Sequence, residues 1–377
     1  MPRFLAITSR GLLEPLTSEL QSLQIKNVHQ KSDSVEFDGP WSDLYRVHLN
    51  SRIATRVLLP VADFTAYNEE DLYYGVLRKH DFTQYIFPNQ TLRVEAHVRE
   101  HKTLRDQRFV AMKVKDALAD QFRGKFDERP SVGDEESADL RVVVRIVGTQ
   151  VSVALDLTGD SLSNRGYRRH VGEAPLREHV AAGMLRYSKW SYPQPLLDPF
   201  CGSGTILIEA ALSEAGLGGL KRRRPFSFEK LRGFQPEVWA ELRKEERRRA
   251  APGKPFLFGY DVDAGMVEKA RLNARAAGVE NWILFQQRDV RDLKPPTELA
   301  GWIVTNPPYG ERLGSKASAK QLMSDFSRAL KTSFKDWNAW ILSGDAEVSS
   351  GLKLKARRRI PVFNGPIECR LLNYPIS

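Results

Sequence analysis

From about residue 174 the chain alternates amphipathic helical segments with short apolar strands. The helical segments include PLREHVAAGMLRYS, TILIEAALSEAG and AGMVEKARLNARAAG, and the strands include PLLDPF, FLFGYDVD, WILFQQRDV and WIVTNPP. Two further strands are predicted at NAWILSGD and IECRLLNYP. Repeated strand–helix units predict a doubly wound, mostly parallel α/β sheet with helices on both faces. Ligands of such sheets bind beyond the carboxyl ends of the strands, so the residues that follow each strand are the candidate site.

The first of these strands ends in the sequence LLDPFCGSGT. Asp198 closes the strand, and Gly202 and Gly204 allow a tight turn and a close approach to a ligand before Thr205 begins a helix. A plain strand–helix turn is the alternative. We do not expect a phosphate-binding P-loop, because no Gly-Lys-Ser/Thr follows, and Leu207 stands where a dinucleotide fingerprint needs its third glycine.

Acidic residues follow the next two strands. Asp261 is placed to accept hydrogen bonds from both hydroxyls of a ribose, whereas Asp263 is a better candidate for the cap of the following helix. Asp289, after the third strand, could accept the exocyclic amine of an adenine. The alternatives are a helix cap for Asp261 and a solvated loop carboxylate for Asp289.

The fourth strand runs directly into prolines in the sequence GWIVTNPPYGERLG, residues 301–314. Neither proline can donate to a sheet, so the strand must stop there. The side-chain oxygen of Asn306 and the carbonyl of Pro307, held rigid by the ring of Pro308, can both accept from one planar –NH2 group. Tyr309 adds an aromatic ring. A plain Pro-Pro turn is the alternative, but an adenosine site at three strand ends beside an amine site at the fourth favours one joint site.

The N-terminal part has a different order of elements, which predicts an α+β module. A strand at RFLAITS, a helix at LLEPLTSELQSL and a strand at SVEFDG come first, followed by a helix capped by Ser42 or Asp43 and a strand over 56–59. A helix at NEEDLYYGVLRKH, a strand at TLRVEAHVRE and a long helix at QRFVAMKVKDALADQFRGKF precede a hairpin that turns at Gly148-Thr149. The polar sequence SLSNRGYRRHVGEAP is predicted to be a linker.

The net charge of +10 favours a polyanionic partner such as nucleic acid. Residues 1–150 carry 21 Lys/Arg and 22 Asp/Glu, so the whole excess lies in the rest of the chain. With only two cysteines and no long apolar run, we expect a cytoplasmic location, no disulfide framework and no transmembrane helix. We also expect no metal site, because no Cys/His cluster has ligand spacing.

The strand-end residues resemble those of class I S-adenosylmethionine-dependent methyltransferases that modify exocyclic amines, whose signature is Asn/Asp-Pro-Pro-Tyr/Phe/Trp. DPFCGSGT followed by NPPYG is similar to the RNA branch of these enzymes. Further segments are similar to bacterial guanine-N2 methyltransferases of large-subunit ribosomal RNA, the RlmL type, in the form with a single catalytic domain. These segments are FLAITSRGLLEPLTSEL, VSVALDLTGDSLSNRGYR, APLREHVAAGML and PFSFEKLRGFQPEVWAEL.

The resemblance implies a Rossmann-like methyltransferase domain preceded by a ferredoxin-like part and a THUMP RNA-binding domain. The implied bounds are 1–44 for the ferredoxin-like part, 45–157 for THUMP, 158–173 for a linker and 174–377 for the methyltransferase domain. S-adenosylmethionine is the implied cofactor and ribosomal RNA the implied partner.

The resemblance also implies the residues of the site. Those that would hold the target base are Asn306, Pro307, Pro308 and Tyr309. Those that would bind the cofactor are Pro175, Leu176, Arg177, Glu178, Asp198, Pro199, Cys201, Gly202, Gly204, Thr205, Asp261, Val262, Asp289, Val290 and Asn306.

Other functions share parts of this pattern. A related family methylates guanine N2 in transfer RNA, and the amine motif also serves DNA adenine-N6 and protein glutamine-N5 methylation. A non-catalytic RNA-binding factor of ribosome assembly is a further alternative. Basic clusters at 221–224, 243–249 and 355–359 are candidate phosphate contacts, with a solvated face as the alternative for each.

Overall fold

The computed structural model describes residues 1–134, 137–168, 176–217, 225–244, 249–308 and 316–377. We call residues 1–156 the N-terminal half and residues 176–377 the C-terminal half. The elements of the N-terminal half are β1 (Arg3–Ile7), α1 (Leu13–Ser22), β2 (Val28–Gln30), β3 (Val35–Asp38), α2 (Trp41–Asn50), β4 (Arg56–Thr65), α3 (Glu69–Lys79), β5 (Thr91–Arg99), α4 (Gln107–Phe126), β6 (Ser131–Val132), β7 (Leu140–Val147) and β8 (Gln150–Asp156).

The described strands of the N-terminal half form one sheet in the order β2-β3-β1-β4-β8-β7-β5-β6. β4 joins its two parts, because Leu58 pairs with Leu5 on β1 and with Asp156 on β8. The register shifts between Pro60 and Ala62, where the proline has no N–H for the ladder. The strand predicted over 56–59 therefore continues through a bulge to Thr65.

The elements of the C-terminal half are α5 (Glu178–Ser188), β9 (Leu196–Asp198), α6 (Thr205–Glu214), α7 (Pro236–Lys244), β10 (Leu257–Asp261), α8 (Ala264–Ala277), β11 (Ile283–Gln287), β12 (Trp302–Thr305), α9 (Lys316–Ser333), β13 (Asn338–Ser343), α10 (Ala346–Ser350), β14 (Arg358–Asn364) and β15 (Ile367–Pro375). Short 3₁₀ turns lie between several of them, including Val290–Asp292 after β11.

The described strands of this half form a second sheet in the order β11-β10-β9-β12-β13-β15-β14. β9 to β13 pair in parallel, and β15 runs antiparallel to both of its neighbours. The predicted doubly wound, mostly parallel sheet is thus confirmed. The strand order reverses beside β9, which has β10 on one side and β12 on the other, and a crevice is expected at such a switch point.

An aromatic cluster holds the two halves together. The ring of Tyr45 on α2 lies 4.9 Å from Phe228 and 5.7 Å from Trp239 of the C-terminal half, between ring centroids. His48, also on α2, packs edge-on against Phe226 and Phe228. The aromatic residues of the segment PFSFEKLRGFQPEVWAEL therefore build an interface between the halves.

The predicted linker is packed rather than exposed in its described part, residues 158–168. Arg165 is fully buried, and its Nε donates to Oε1 of Glu209 on α6 at 3.3 Å. The hydroxyl of Tyr167 donates to the same carboxylate oxygen at 3.1 Å. The polar composition of this segment thus reflects a buried ion pair with its hydrogen bonds, since a buried charge must be compensated.

Some local details differ from the sequence prediction. Helix α2 begins at Trp41, after Pro40, and its N-cap has no side-chain hydrogen bond, so neither Ser42 nor Asp43 is the cap.

Strand β14 overlaps the end of the basic cluster 355–359 and also contains Pro361. Arginine and proline are typical of an edge strand, and β14 is an edge of its sheet. No helix in the described part of the chain is long and apolar enough to cross a membrane.

Candidate active site

A cleft of about 890 Å³ lies beyond the carboxyl ends of β9, β10, β11 and β12. The sequence-predicted residues in its wall are Pro199, Gly202, Asp261, Val262, Asp289, Val290, Asn306 and Pro308. Other predicted residues near these strand ends do not line the cleft, namely Asp198, Cys201, Gly204 and Thr205. The side chains of Asp198, Cys201 and Thr205 are buried. The four strand ends therefore do converge on one site.

Asp198 connects the ends of the two central strands. The hydroxyl of Thr305, the last residue of β12, donates to Oδ1 of Asp198 at 2.6 Å. The backbone N–H of Phe200 donates to the same oxygen at 3.2 Å. Asp198 is 2% exposed, and this burial raises the pKa of its carboxyl to about 7, although both hydrogen bonds act in the opposite direction. The carboxyl is thus poised to gain or lose a proton near neutral pH.

The loop after β9 is fixed by hydrogen bonds to β10. The N–H of Cys201 donates to the carbonyl of Tyr260 at 2.8 Å, and the N–H of Gly202 donates to Oδ2 of Asp261 at 2.9 Å. Burial raises the pKa of the Cys201 thiol, so it stays protonated. Gly204 has φ +84°, and a Cβ there would lie only 3.1 Å from atoms of Ala270 and Phe285. A side chain at this position would therefore strain the backbone and crowd Ala270 and Phe285.

The two aspartates after β10 have different roles. Asp261 accepts one backbone N–H on each carboxylate oxygen, from Gly202 and from Asp263 at 3.0 Å, and each oxygen keeps further acceptor capacity. Burial raises the pKa of Asp261. Asp263 caps α8, because its Oδ1 accepts from the N–H of Gly265 at 2.7 Å. The capping role predicted for Asp263 is confirmed, and ribose binding by Asp261 stays a prediction.

Asp289 is held by an arginine that the sequence prediction did not include. Oδ1 accepts both the backbone N–H and Nε of Arg291 at 2.9 Å, and a terminal nitrogen of the guanidinium donates to Oδ2. These hydrogen bonds lower the pKa of Asp289. Arg291 and Arg288 also line the cleft, and Arg288 lies over the ring of Tyr260, with 4.6 Å from Cζ to the centroid. An amine bound at Asp289 would share its carboxylate with Arg291.

Asn306 presents an unused acceptor. Its Oδ1 is buried and has no hydrogen-bond partner among the residues that the structure describes. Pro307 is buried behind it, and Pro308 lines the cleft beside it. A buried acceptor without a donor is costly, so this oxygen is suited to a donor that arrives with a ligand. Tyr309 lies outside the described residues.

The segment before α5 is separate from the cleft wall. Leu176, Arg177 and Glu178 are not among the residues that line the cleft, and Pro175 lies outside the described residues. Arg168 links this segment to the start of α6: its guanidinium donates to the carbonyl of Leu176, lies 3.3 Å from Oε2 of Glu178, and donates to Oγ1 of Thr205 at 3.5 Å.

One side of the cleft belongs to α9, which the sequence prediction left out. Its contributing residues are Ala317, Ser318, Gln321, Leu322 and Asp325. The apolar spacing of KQLMSDFSRALK was a usable signal for the helix itself. Its contact with the cleft was not readable from the sequence, because it depends on how α9 packs against the turn after β11.

Three family models match the chain. Residues 165–373 match the model described as "RMKL-like, methyltransferase domain". The chain belongs to this family. Residues 3–58 match the RlmL ferredoxin-like domain, and residues 66–156 match the THUMP domain.

Members of the family with curated names or solved structures are similar over the whole chain. The ribosomal RNA large subunit methyltransferase K/L of Photobacterium profundum is 39% identical over 100% of this chain and 53% of its own length, so the chain spans about half of that relative. SMU.472, described as a putative methyltransferase and crystallised with S-adenosylhomocysteine, is 27% identical with a TM-score of 0.89, over 100% of this chain and 98% of that one.

A structure from Listeria monocytogenes, described as a predicted N6-adenine-specific DNA methylase, is 26% identical with a TM-score of 0.87, over 100% of this chain and 96% of that one.

Proposed function

We propose that this methyltransferase-family protein transfers the methyl group of S-adenosylmethionine to the exocyclic N2 amine of a guanine in large-subunit ribosomal RNA. The observation that carries the proposal is the buried, unpartnered Oδ1 of Asn306 at the switch point of the sheet. An exocyclic amine is a donor of two hydrogen bonds, and it suits an acceptor that the described residues leave unused.

The residues around the cleft suit an adenosyl cofactor. Asp261 would accept the ribose hydroxyls and Asp289 the adenine amine, while Gly202 and Gly204 would let the backbone approach closely. Asp198, beside them, would face the methionine side. The crystallised relative SMU.472 binds S-adenosylhomocysteine, the demethylated form of this cofactor. When bound, the cofactor supplies a methyl group made electrophilic by its sulfonium charge.

Asn306 and Pro307 would prepare the attacking nitrogen. The lone pair of an aromatic amine is delocalised into the ring, so the amine is a poor nucleophile. If Oδ1 of Asn306 and the Pro307 carbonyl each accept one N–H, the nitrogen becomes pyramidal and its lone pair is directed to the methyl group. Much of the rate then comes from positioning. Tyr309 would stack on the extruded base. No general base is assigned, since the amine becomes acidic once methylated.

The RNA substrate is supported by the THUMP match over 66–156 and by the names of the curated relatives. Cytoplasmic location is part of the same proposal. A guanine of transfer RNA is the closest alternative. Adenine in DNA is a second candidate function, favoured by the description of the Listeria relative. The basic cluster 221–224 lies outside the described residues, and Arg358 of the cluster 355–359 lies in β14, 3.9 Å from Glu14.

The test separates cofactor binding from transfer. Asn306→Leu keeps the approximate size of the side chain and removes the acceptor, whereas Asn306→Asp keeps an acceptor oxygen. We expect both variants to retain binding of S-adenosylhomocysteine in calorimetry, with a loss of affinity much smaller than the loss of transfer. Transfer to ribosomal RNA should be lost in the leucine variant and partly kept in the aspartate variant. Full turnover by Asn306→Leu would show that this oxygen does not hold the amine.

A further inference from the structure

An arginine of the C-terminal half lies on an exposed aromatic ring of the N-terminal half. The guanidinium Cζ of Arg232 is 4.4 Å from the ring centroid of Phe87, and Phe87 is 51% exposed. Arg232 is itself exposed. A single exposed aromatic ring is common on protein surfaces, so the pair is a candidate binding surface only together with the cation and cavity beside it.

The pair is held in place before any ligand arrives. The backbone N–H of Arg232 donates to the carbonyl of Tyr85 at 2.9 Å, and its guanidinium donates to the carbonyl of Thr83 at 3.4 Å. Leu231 beside it is buried. Both the backbone and the side chain of Arg232 are therefore fixed on the loop that carries Phe87, which reduces the entropy cost of binding.

Two cations on this surface have no carboxylate partner among the residues that the structure describes. Within the described parts of the chain, neither Arg232 nor Arg141 forms a salt bridge, whereas nearby Lys230 lies 3.4 Å from Asp139 and Lys125 lies 3.0 Å from Asp81. The Nε of Arg141 is also buried and has no hydrogen-bond partner among the described residues. Guanidinium groups that form no salt bridge in the described ranges favour direct contact with an anionic ligand.

Arg141 lines a cavity of about 340 Å³ next to the aromatic pair, together with Lys230 and Ser137. Gln90 joins the two features, because its Oε1 accepts the N–H of Phe87 at 2.8 Å and its Nε2 donates to the carbonyl of Lys230 at 3.2 Å.

The cavity wall also contains acidic residues. They are Asp134 and Asp160, and both are engaged within the protein: Oδ1 of Asp134 accepts from the N–H and hydroxyl of Ser137 at 2.7 and 2.6 Å. These contacts leave both carboxylates charged, so a phosphate is held here by direct contact with the Arg141 guanidinium and not by the net charge of the cavity.

We propose that Phe87, Arg232 and Arg141 form a platform for an unpaired segment of the RNA substrate, with a base stacked on the Phe87–Arg232 pair and a backbone phosphate at Arg141. This inference rests on the RNA substrate proposed above and adds where that RNA is held. Stacking of bases on aromatic and guanidinium faces is how single strands are bound without sequence preference. A base within a duplex has no free face, so the platform selects unpaired nucleotides.

The probe is a fluorescein-labelled RNA 12-mer of mixed sequence, single-stranded or annealed to its complement, titrated with the full chain. Arg232→Ala and Phe87→Leu should each weaken binding of the single strand about tenfold and leave binding of the duplex nearly unchanged. Arg232→Lys keeps the charge without the planar group and should lose most of the same affinity. Arg141→Gln should reduce the magnitude of the slope of log K against log[salt] by about 0.7, which is the contribution of one phosphate contact to binding of a single strand.

A matched control is available on α3, where Arg78 lies over Tyr74 with 4.6 Å between Cζ and the centroid, and Tyr74 is 46% exposed. Arg78→Ala should bind RNA like the unaltered chain. Affinity for S-adenosylhomocysteine and the melting temperature should be the same in all variants, which shows that the fold is intact.

The outcomes are distinguishable. Equal losses with single strand and duplex, or an equal loss in Arg78→Ala, would overturn base stacking at this platform. Unchanged binding by Arg232→Ala and Phe87→Leu would overturn the platform and leave the proposed methylation standing. An unaltered chain that binds neither RNA would overturn both the platform and the RNA substrate.

Discussion

Replacing Asp198 by asparagine should stabilise the ligand-free protein and weaken its cofactor site. The buried carboxyl of Asp198 has a pKa of about 7, against an ordinary value of about 3.9. The pKa of this carboxyl is higher in the folded than in the unfolded state, so its ionisation destabilises the fold. The loss of stability begins as the pH rises above the unfolded-state pKa and is complete above the folded-state pKa. A pKa difference of about three units corresponds to a destabilisation of the folded state by about 4 kcal/mol. Asparagine avoids this destabilisation because its side chain is neutral.

The size of this effect depends on pH in a defined way. At pH 5.5 the cost is about 2 kcal/mol, and at pH 8 it is about 4 kcal/mol. The asparagine side chain keeps an oxygen that can accept the Thr305 hydroxyl, which donates to Asp198 at 2.6 Å. Packing should therefore be nearly unchanged, and the gain in stability should come from the removed charge.

Urea denaturation without ligand measures the prediction at both pH values. Asp198→Asn should be more stable than the unaltered chain, and its advantage should grow by about 2 kcal/mol between pH 5.5 and pH 8. With S-adenosylhomocysteine at 100-fold excess over its Kd the unaltered chain should gain about 2.7 kcal/mol, and the variant should gain less. An advantage that does not grow with pH would refute the assigned cost of the buried charge.

Substitutions at three further positions test the frame around the cleft, with Gly278→Ala as a control. Gly204→Ala should lower the free energy of unfolding by about 2–4 kcal/mol through both strain and crowding, whereas Gly278→Ala, with φ +79° and no atom near its Cβ, should cost only about 1–2 kcal/mol in the same urea titration. Glu209→Gln leaves the buried charge of Arg165 without its partner and should cost about 3–5 kcal/mol. Arg168→Ala should raise the Kd for S-adenosylhomocysteine about tenfold in calorimetry through loss of its links to α5 and α6, with partial recovery in Arg168→Lys.

The sequence predicted the strand ends of the C-terminal sheet well, because apolar strands, glycine turns and prolines are local signals. Asp261 and Asn306 lie where the order of strands placed them, in the wall of one cleft. The long helix predicted over QRFVAMKVKDALADQFRGKF and the hairpin turning at Gly148-Thr149 are also as expected.

The contacts of individual side chains were not predictable in this way. Arg291 was not expected beside Asp289, since a side chain that turns back on its own loop gives no periodic signal. The segment with Arg165 was interpreted as a linker because polar composition does not distinguish a solvated arginine from a buried, paired one. Phe87 and Arg232 are more than a hundred residues apart in the chain, and only the fold brings them together.

The central claim is methylation of a guanine amine in ribosomal RNA, and nucleoside mass spectrometry tests it most directly. Ribosomal RNA from cells with the protein, without it, and with the Asn306→Leu variant would be digested and compared. The account predicts that N2-methylguanosine decreases equally without the protein and with the variant. Unchanged N2-methylguanosine together with a loss of N6-methyladenine from DNA would contradict it.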